Sequence, residues 1–133
     1  MDKIEVPYID KIKMAEFSEN TAVLRKLSEG NDLFIRSVVA QNKKTPVSLF
    51  NSLSKDKEIC VRLAVAENNS APPKVLDLLS NDENQEIREA VYLNQNTKEE
   101  NLKKMEEENK ELVKDFKAYR ERIISLKDNP SYR

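Results

Sequence analysis

Matching residue types recur every 26 positions without a gap, and this interval limits the possible folds more than any other feature of the chain. Arg36, Arg62 and Arg88 share a column, as do Asn42, Asn68 and Asn94, and Val39, Val65 and Val91. Ile35, Val61 and Ile87 form a fourth. In the second half of the period Leu24, Phe50, Leu76 and Leu102 align, followed by Leu27, Leu53, Leu79 and Met105, and by Ser28, Ser54 and Ser80. Thr45-Pro46 faces Ala71-Pro72, and Asp56 faces Asp82. Residues of about 21 to 105 therefore read as copies of one unit, with half a unit in front.

Within a unit the apolar residues fall at helical spacing. Ile35, Val38 and Val39, then Val61, Ala64 and Val65, then Ile87, Ala90 and Val91 each put one stripe on a short helix. The asparagine that follows is expected to close that helix in the left-handed conformation, which Asn tolerates better than most residues. Thr45 is expected to cap the next helix, with Pro46 at its first position; its apolar residues are Leu49, Phe50 and Leu53, and in the next copy Val75, Leu76 and Leu79. No segment alternates as a strand does. A pair this short cannot bury its stripe alone, since each large aliphatic side chain removed from water contributes roughly 1.5–3 kcal/mol and one side of the pair stays wet. Neighbouring copies must cover it. The expected fold is all-α, a short α-solenoid of about three two-helix repeats followed by a long C-terminal helix. The expected divisions are an N-terminal cap at 1–20, the array at 21–96, the long helix at 97–128 and a tail at 129–133. Ile4, Val6, Tyr8, Ile9, Ile12, Met14 and Phe17 make the cap apolar enough to cover the first unit.

The run Ile35-Arg36-Ser37-Val38-Val39-Ala40-Gln41-Asn42, with Thr45-Pro46, Phe50, Leu53 and Asp56 after it, resembles the leucine-rich repeat variant, a bacterial helical repeat related in style to HEAT and armadillo arrays. Val61-Arg62, Asn68, Pro72, Leu76, Leu79 and Asp82 repeat the pattern. The resemblance spans about 35–94 and implies a right-handed superhelix that serves as a binding surface. Two departures stand out. There is no N-terminal cysteine cluster of the kind that can carry an iron–sulfur centre beside such repeats, so no cofactor is expected, and the third copy has Tyr92 for Ala and Lys98 for Pro, as if the array were ending.

Thr97-Lys98-Glu99-Glu100 has the capping-box pattern. Good helix formers then continue to Asn129-Pro130, about 30 residues or roughly 45 Å of helix. Leu102, Met105, Asn109, Leu112, Phe116, Tyr119, Ile123 and Leu126 fall at alternating intervals of 4 and 3, a heptad stripe. Two readings compete: the stripe pairs with a second copy in a coiled-coil homodimer, with Asn109 fixing register, or it folds onto the end or flank of the array. The first is preferred.

Composition removes most chemistry. There is no His, no Trp, one Cys and one Gly, which leaves no His-based acid–base pair, no His-ligated metal and no glycine-rich phosphate loop. The chain is not expected to be an enzyme. Cys60, between Ile59 and Val61, reads as a small buried hydrophobe. Residues 1–97 carry 13 basic and 15 acidic side chains and the rest 10 and 9, so no basic footprint for nucleic acid emerges. The N-terminus mixes charges from Asp2 onward, unlike a signal peptide. The longest apolar runs, 63–66 and 90–93, are far shorter than the ~20 residues of a membrane span. The expectation is a cytoplasmic chain that binds another protein. The alternative is a nucleic-acid-binding array that uses Arg36, Arg62 and Arg88, although each arginine has a competing partner in the aspartate column, and that pairing is preferred. A charge at either of two positions of one repeated apolar column, Leu53→Asp or Leu79→Asp, is expected to cost more than about 3 kcal/mol and to abolish the cooperative thermal transition followed by circular dichroism.

Overall fold

Nine helices form among the described residues, which in this computed structural model are 5–127 without the side chains of Leu112 and Lys127. They are α1 (Tyr8–Phe17), α2 (Thr21–Ser28), α3 (Leu33–Gln41), α4 (Val47–Leu53), α5 (Ile59–Glu67), α6 (Pro73–Leu79), α7 (Gln85–Leu93), α8 (Glu99–Glu108) and α9 (Lys110–Lys127). The described residues contain no strand, so the chain is all-α. Ile4, the tail 129–133 and the side chain of Leu112 lie outside the described residues.

The odd-numbered helices contact one another in sequence, α1 with α3, α3 with α5 and α5 with α7. Of the even-numbered helices, α4 touches α3 and α5, and α6 touches α5 and α7. The apolar columns supply the interior. Val39, Val61, Val65, Leu76, Ile87 and Val91 are fully enclosed, and Phe50, Leu53 and Leu79 nearly so.

The asparagine column joins the copies. Asn68 Nδ2 donates to Ala40 O at 2.8 Å and to Asn42 O at 3.1 Å, and Asn94 Nδ2 donates to Ala66 O at 2.8 Å and to Asn68 O at 2.9 Å. Asn42 makes the first rung, to Ala15 O and Ser18 O at 3.0 Å each. Each Oδ1 accepts the amide two residues on, from Lys44, Ser70 and Asn96. The expected left-handed closure does not occur: no described non-glycine residue has a positive φ, and Asn42, Asn68 and Asn94 are extended, with ψ of 126°, 118° and 130°. Their selection rests on the side chain. One N–H of Asn68 and of Asn94 reaches a carbonyl that the end of the preceding helix leaves free, Ala40 O or Ala66 O, the other adds a second donor to the preceding asparagine carbonyl, and the acceptor holds the local turn.

The threonines also differ from expectation. Thr45 does not cap α4, whose N-terminal flank is Pro46 without a side-chain cap. Its buried hydroxyl donates back to Val39 O at 2.6 Å. Thr97 does the same to Val91 O, so the Thr97/Glu100 capping box is not formed and Lys98 is the uncapped flank of α8. In both cases the buried hydroxyl becomes the second donor to a helix-end carbonyl that also accepts the asparagine amide, so the hydroxyl is not left unpaired in the core. The serine column does provide cap chemistry, with Ser28, Ser54 and Ser80 donating to the carbonyls of Arg25, Asn51 and Asp77.

Three further expectations are corrected. Cys60 is exposed, because α5 turns Val61 inward and the preceding column, Tyr8, Phe34 and Cys60, outward. In the N-terminal segment Ala15 is enclosed and Ile12 and Met14 are half-buried, whereas Val6, Tyr8, Ile9 and Phe17 are exposed; α1 is the end helix of its row, and among the described residues no further helix covers its outer side. The single helix over 97–128 breaks at Asn109, where φ is −137° and ψ 56°. α8 then occupies the second-helix position of the third copy, with Leu102 and Met105 buried, and α9 folds back to contact α7 and α8.

Replacing Asn68 by Ala leaves the Ala40 carbonyl without a donor in a buried position, at about 1–3 kcal/mol, and also removes one of two donors to Asn42 O and the acceptor of the Ser70 amide; it is expected to lower stability by roughly 2–3 kcal/mol in urea denaturation. Asn68→Asp directs a carboxylate at the Ala40 and Asn42 carbonyls, which raises its pKa in the folded state. That variant is expected to come closest to wild type below about pH 4, where both states are protonated, and to weaken as pH rises above it.

Candidate functional site

The arginine column points inward. Arg36 Nε and Nη2 donate to the two carboxylate oxygens of Asp56 at 2.8 and 3.2 Å, and Nη1 donates to Gly30 O at 2.9 Å. Arg62 pairs with Asp82 in the same way, at 2.9 and 3.4 Å, and donates to Asp56 O at 2.8 Å. Arg88 continues the series to Asp82 O at 2.6 Å. Gly30 O, Arg36, Asp56, Arg62, Asp82 and Arg88 thus form one chain of hydrogen bonds across three copies. Arg36 and Arg62 are 7% and 8% exposed, so neither guanidinium is presented to a ligand. Arg88 is half-buried. Where a third aspartate would stand is Glu108, exposed at the end of α8, and among the described residues it forms no ion pair with Arg88.

The heptad residues do not share one stripe. Leu102 and Met105 are in the core, Asn109 is the break, Phe116 is half-buried against the core and Tyr119 is exposed, with Ile123 and Leu126 half-buried. The non-helical residue at 109 shifts the phase, so that Val113 becomes the buried position of early α9. Polar bonds fix the fold-back. Arg120 Nε donates to Tyr92 O at 3.0 Å, and the Tyr92 hydroxyl donates to Glu106 Oε1 at 2.9 Å. Burial first, and then the Glu106 carboxylate, raise the Tyr92 pKa well above that of a free phenol, which keeps the donor protonated. Lys117 Nζ lies 3.7 Å from Glu106.

The fold-back walls a recess that spacing alone does not show. A cavity of about 450 Å3 opens between α5, α7 and α9, with Leu63, Ala90, Leu93 and Phe116 as its apolar side chains. Glu67, Glu86 and Glu89 stand around them, and among the described residues no Lys or Arg lines it. Glu67 and Glu86 are exposed, while Glu89 is half-buried and accepts from Gln85 Nε2 at 3.0 Å. A second recess, about 410 Å3, has the opposite sign: Lys74 and Lys98 flank Val47, Pro72 and Pro73.

The signal for the first recess lies in the columns that fail to repeat. Ser37, Leu63 and Glu89 share one such column, and Gln41, Glu67 and Leu93 another. Positions that change type from copy to copy are less tightly bound to one packing environment: Gln41 and Glu67 are exposed and Leu63, Glu89 and Leu93 half-buried, although Ser37 is buried. The contribution of Phe116 could not be read this way, because it depends on the break at Asn109.

Among the described residues no group of three or more His, Cys, Asp or Glu is placed to hold a metal ion. No helix among them is long and apolar enough to cross a membrane. No protein-family model matches the chain, and no curated protein or solved structure matches it either.

Burial works against the Asp56 carboxylate, but the Arg36 guanidinium and the Glu58 amide outweigh it and hold the pKa below the usual aspartate value. A lowered folded pKa means that the contribution is complete above about pH 4 and disappears as pH falls through the lowered value. Asp56→Asn is therefore expected to be less stable than wild type by about 2 kcal/mol at pH 7, with the gap closing on acidification below about pH 4 in paired urea titrations.

Proposed function

We propose that this chain is a non-enzymatic protein-interaction module, an array of helix pairs that presents an open recess between α5, α7 and α9 to a protein partner. One observation carries the reading. The recurrent polar side chains are used inside the array, on Asp56, Asp82 and backbone carbonyls, whereas the recess keeps apolar side chains partly exposed beside carboxylates that form no ion pair among the described residues. Apolar surface framed by polar groups is what partner surfaces offer. Repeat arrays bind by shape and exposed side chains, and the residue inventory supplies no histidine to pair with a nucleophile. A cytoplasmic setting fits the single exposed cysteine and the lack of a long apolar helix among the described residues.

The nucleic-acid alternative has less support. Two of its three arginines are buried in ion pairs, and the recess bears carboxylates that repel phosphate. A homodimer through the C-terminal helix is left with the outer half of α9, where Tyr119 and Ile124 are exposed.

Photo-crosslinking tests the module. A benzophenone side chain placed at Glu86 is expected to give protein adducts in cell extract that resist nuclease, and the same group at Lys103, exposed on α8, is expected to give at least tenfold fewer. Equal yields at the two positions, or adducts that nuclease removes, would overturn the reading.

A further inference from the structure

The recess combines an apolar floor with charge of one sign. Leu63 comes from α5, Ala90 and Leu93 from α7, and Phe116 from α9, so three helices converge on it. Three carboxylates surround this floor with no Lys or Arg among the described residues that line it, although the chain as a whole carries a formal charge of only −1. Lys117, the cation of α9 that pairs nearby, is engaged with Glu106 on α8 instead. Glu67 and Glu86 are exposed and form no ion pair among the described residues.

These features select among occupants. A wholly apolar ligand would leave the carboxylates beside a desolvated surface without compensation. An acidic or nucleic-acid partner would add like charge. A segment with bulky apolar side chains one helical turn apart, flanked by Lys or Arg, would fill the floor and neutralise the rim together, which is the helix-in-groove mode of peptide recognition.

We infer that the recess between α5, α7 and α9 is a docking site for a basic amphipathic segment of a partner protein, with Leu63, Ala90, Leu93 and Phe116 taking its apolar anchors and Glu67, Glu86 and Glu89 its cations. The inference rests on the protein-interaction reading and narrows it to a partner chemistry. Rim carboxylates act mainly on encounter and on the choice of sign, so binding must weaken as salt rises.

The test uses the full chain, labelled with nitrogen-15, and three synthetic peptides of one length: one with leucine at i and i+4 and lysine elsewhere, one with glutamate in place of lysine, and one with the leucines changed to alanine. The first is expected to bind at least tenfold more tightly than either of the others, to shift the amide resonances of Leu63, Ala90 and Leu93, and to lose affinity as salt is raised. Glu67→Gln/Glu86→Gln/Glu89→Gln is expected to erase the preference for the basic peptide. Glu86→Lys/Glu89→Lys is expected to turn it toward the acidic one. Circular dichroism of both variants should match wild type, since neither touches the core columns.

Equal affinity for basic and acidic peptides, shifts centred elsewhere, or a preference that survives the triple substitution would overturn the inference. So would concentration-dependent sedimentation of the chain alone with the Ala90 and Leu93 resonances moving as the dimer forms, because the recess would then receive a second copy. Failure of the peptides while position 86 still crosslinks to protein would sink the basic-segment chemistry and leave the interaction module standing. Loss of crosslinking at 86 as well would remove both.

Discussion

A side-chain amide placed between two successive helix ends sets the register of the array. The last turn of an α-helix leaves carbonyls without intrahelical donors, and a buried carbonyl without a partner costs about 1–3 kcal/mol. Asn68 meets one of them, Ala40 O, and adds a second donor to Asn42 O, and Asn94 does the same at Ala66 O and Asn68 O. In these two rungs the second acceptor is the backbone of the preceding asparagine. One copy therefore cannot slide along the next without breaking the whole series. Apolar packing would allow such a slip at smaller cost, because Val and Leu columns interdigitate in more than one way. The amide restricts the array to one alignment.

The Arg–Asp chain reinforces this alignment along a different line. Arg62 binds the side chain of the aspartate that follows its own copy and the backbone of the one that precedes it, so each guanidinium spans a boundary. A half-buried ion pair is weak evidence for stability, since desolvation offsets much of the attraction. Its value here is geometric. The planar guanidinium fork fits one carboxylate and one carbonyl at a fixed separation, which lysine cannot do. The series starts without a carboxylate at Gly30 and ends without one at Arg88, and these are the places where the units stop matching.

The interval of the repeat made the helix pairs and the inward columns legible, because a column conserved in type from copy to copy must meet the same surroundings each time. What each repeated polar side chain does was less so. Asn42, Thr45 and Thr97 were assigned to local caps, and all three instead reach carbonyls, since composition shows that a residue can bond but not in which direction. Cys60 was misplaced for a related reason: apolar neighbours on both sides say nothing about the face on which a helical residue lies. The aspartate partners of Arg36 and Arg62 were within reach of sequence reasoning, because they repeat at the same interval.

The C-terminal break is the clearest case of tertiary contacts overriding a local pattern. Local electrostatics oppose it, for Glu106, Glu107 and Glu108 crowd the negative end of α8 and Lys110 sits at the positive end of α9. A continuous rod would avoid both clashes but would carry Val113 and Phe116 away from α7 into water. Burial of Val113, partial burial of Phe116 and the Arg120–Tyr92 bond outweigh the unfavourable ends. The same contacts place Phe116 at the edge of the recess. The α8–α9 bend therefore covers the last copy and completes the recess wall, and any change that straightens residue 109 must uncover the core and dismantle the recess in one step.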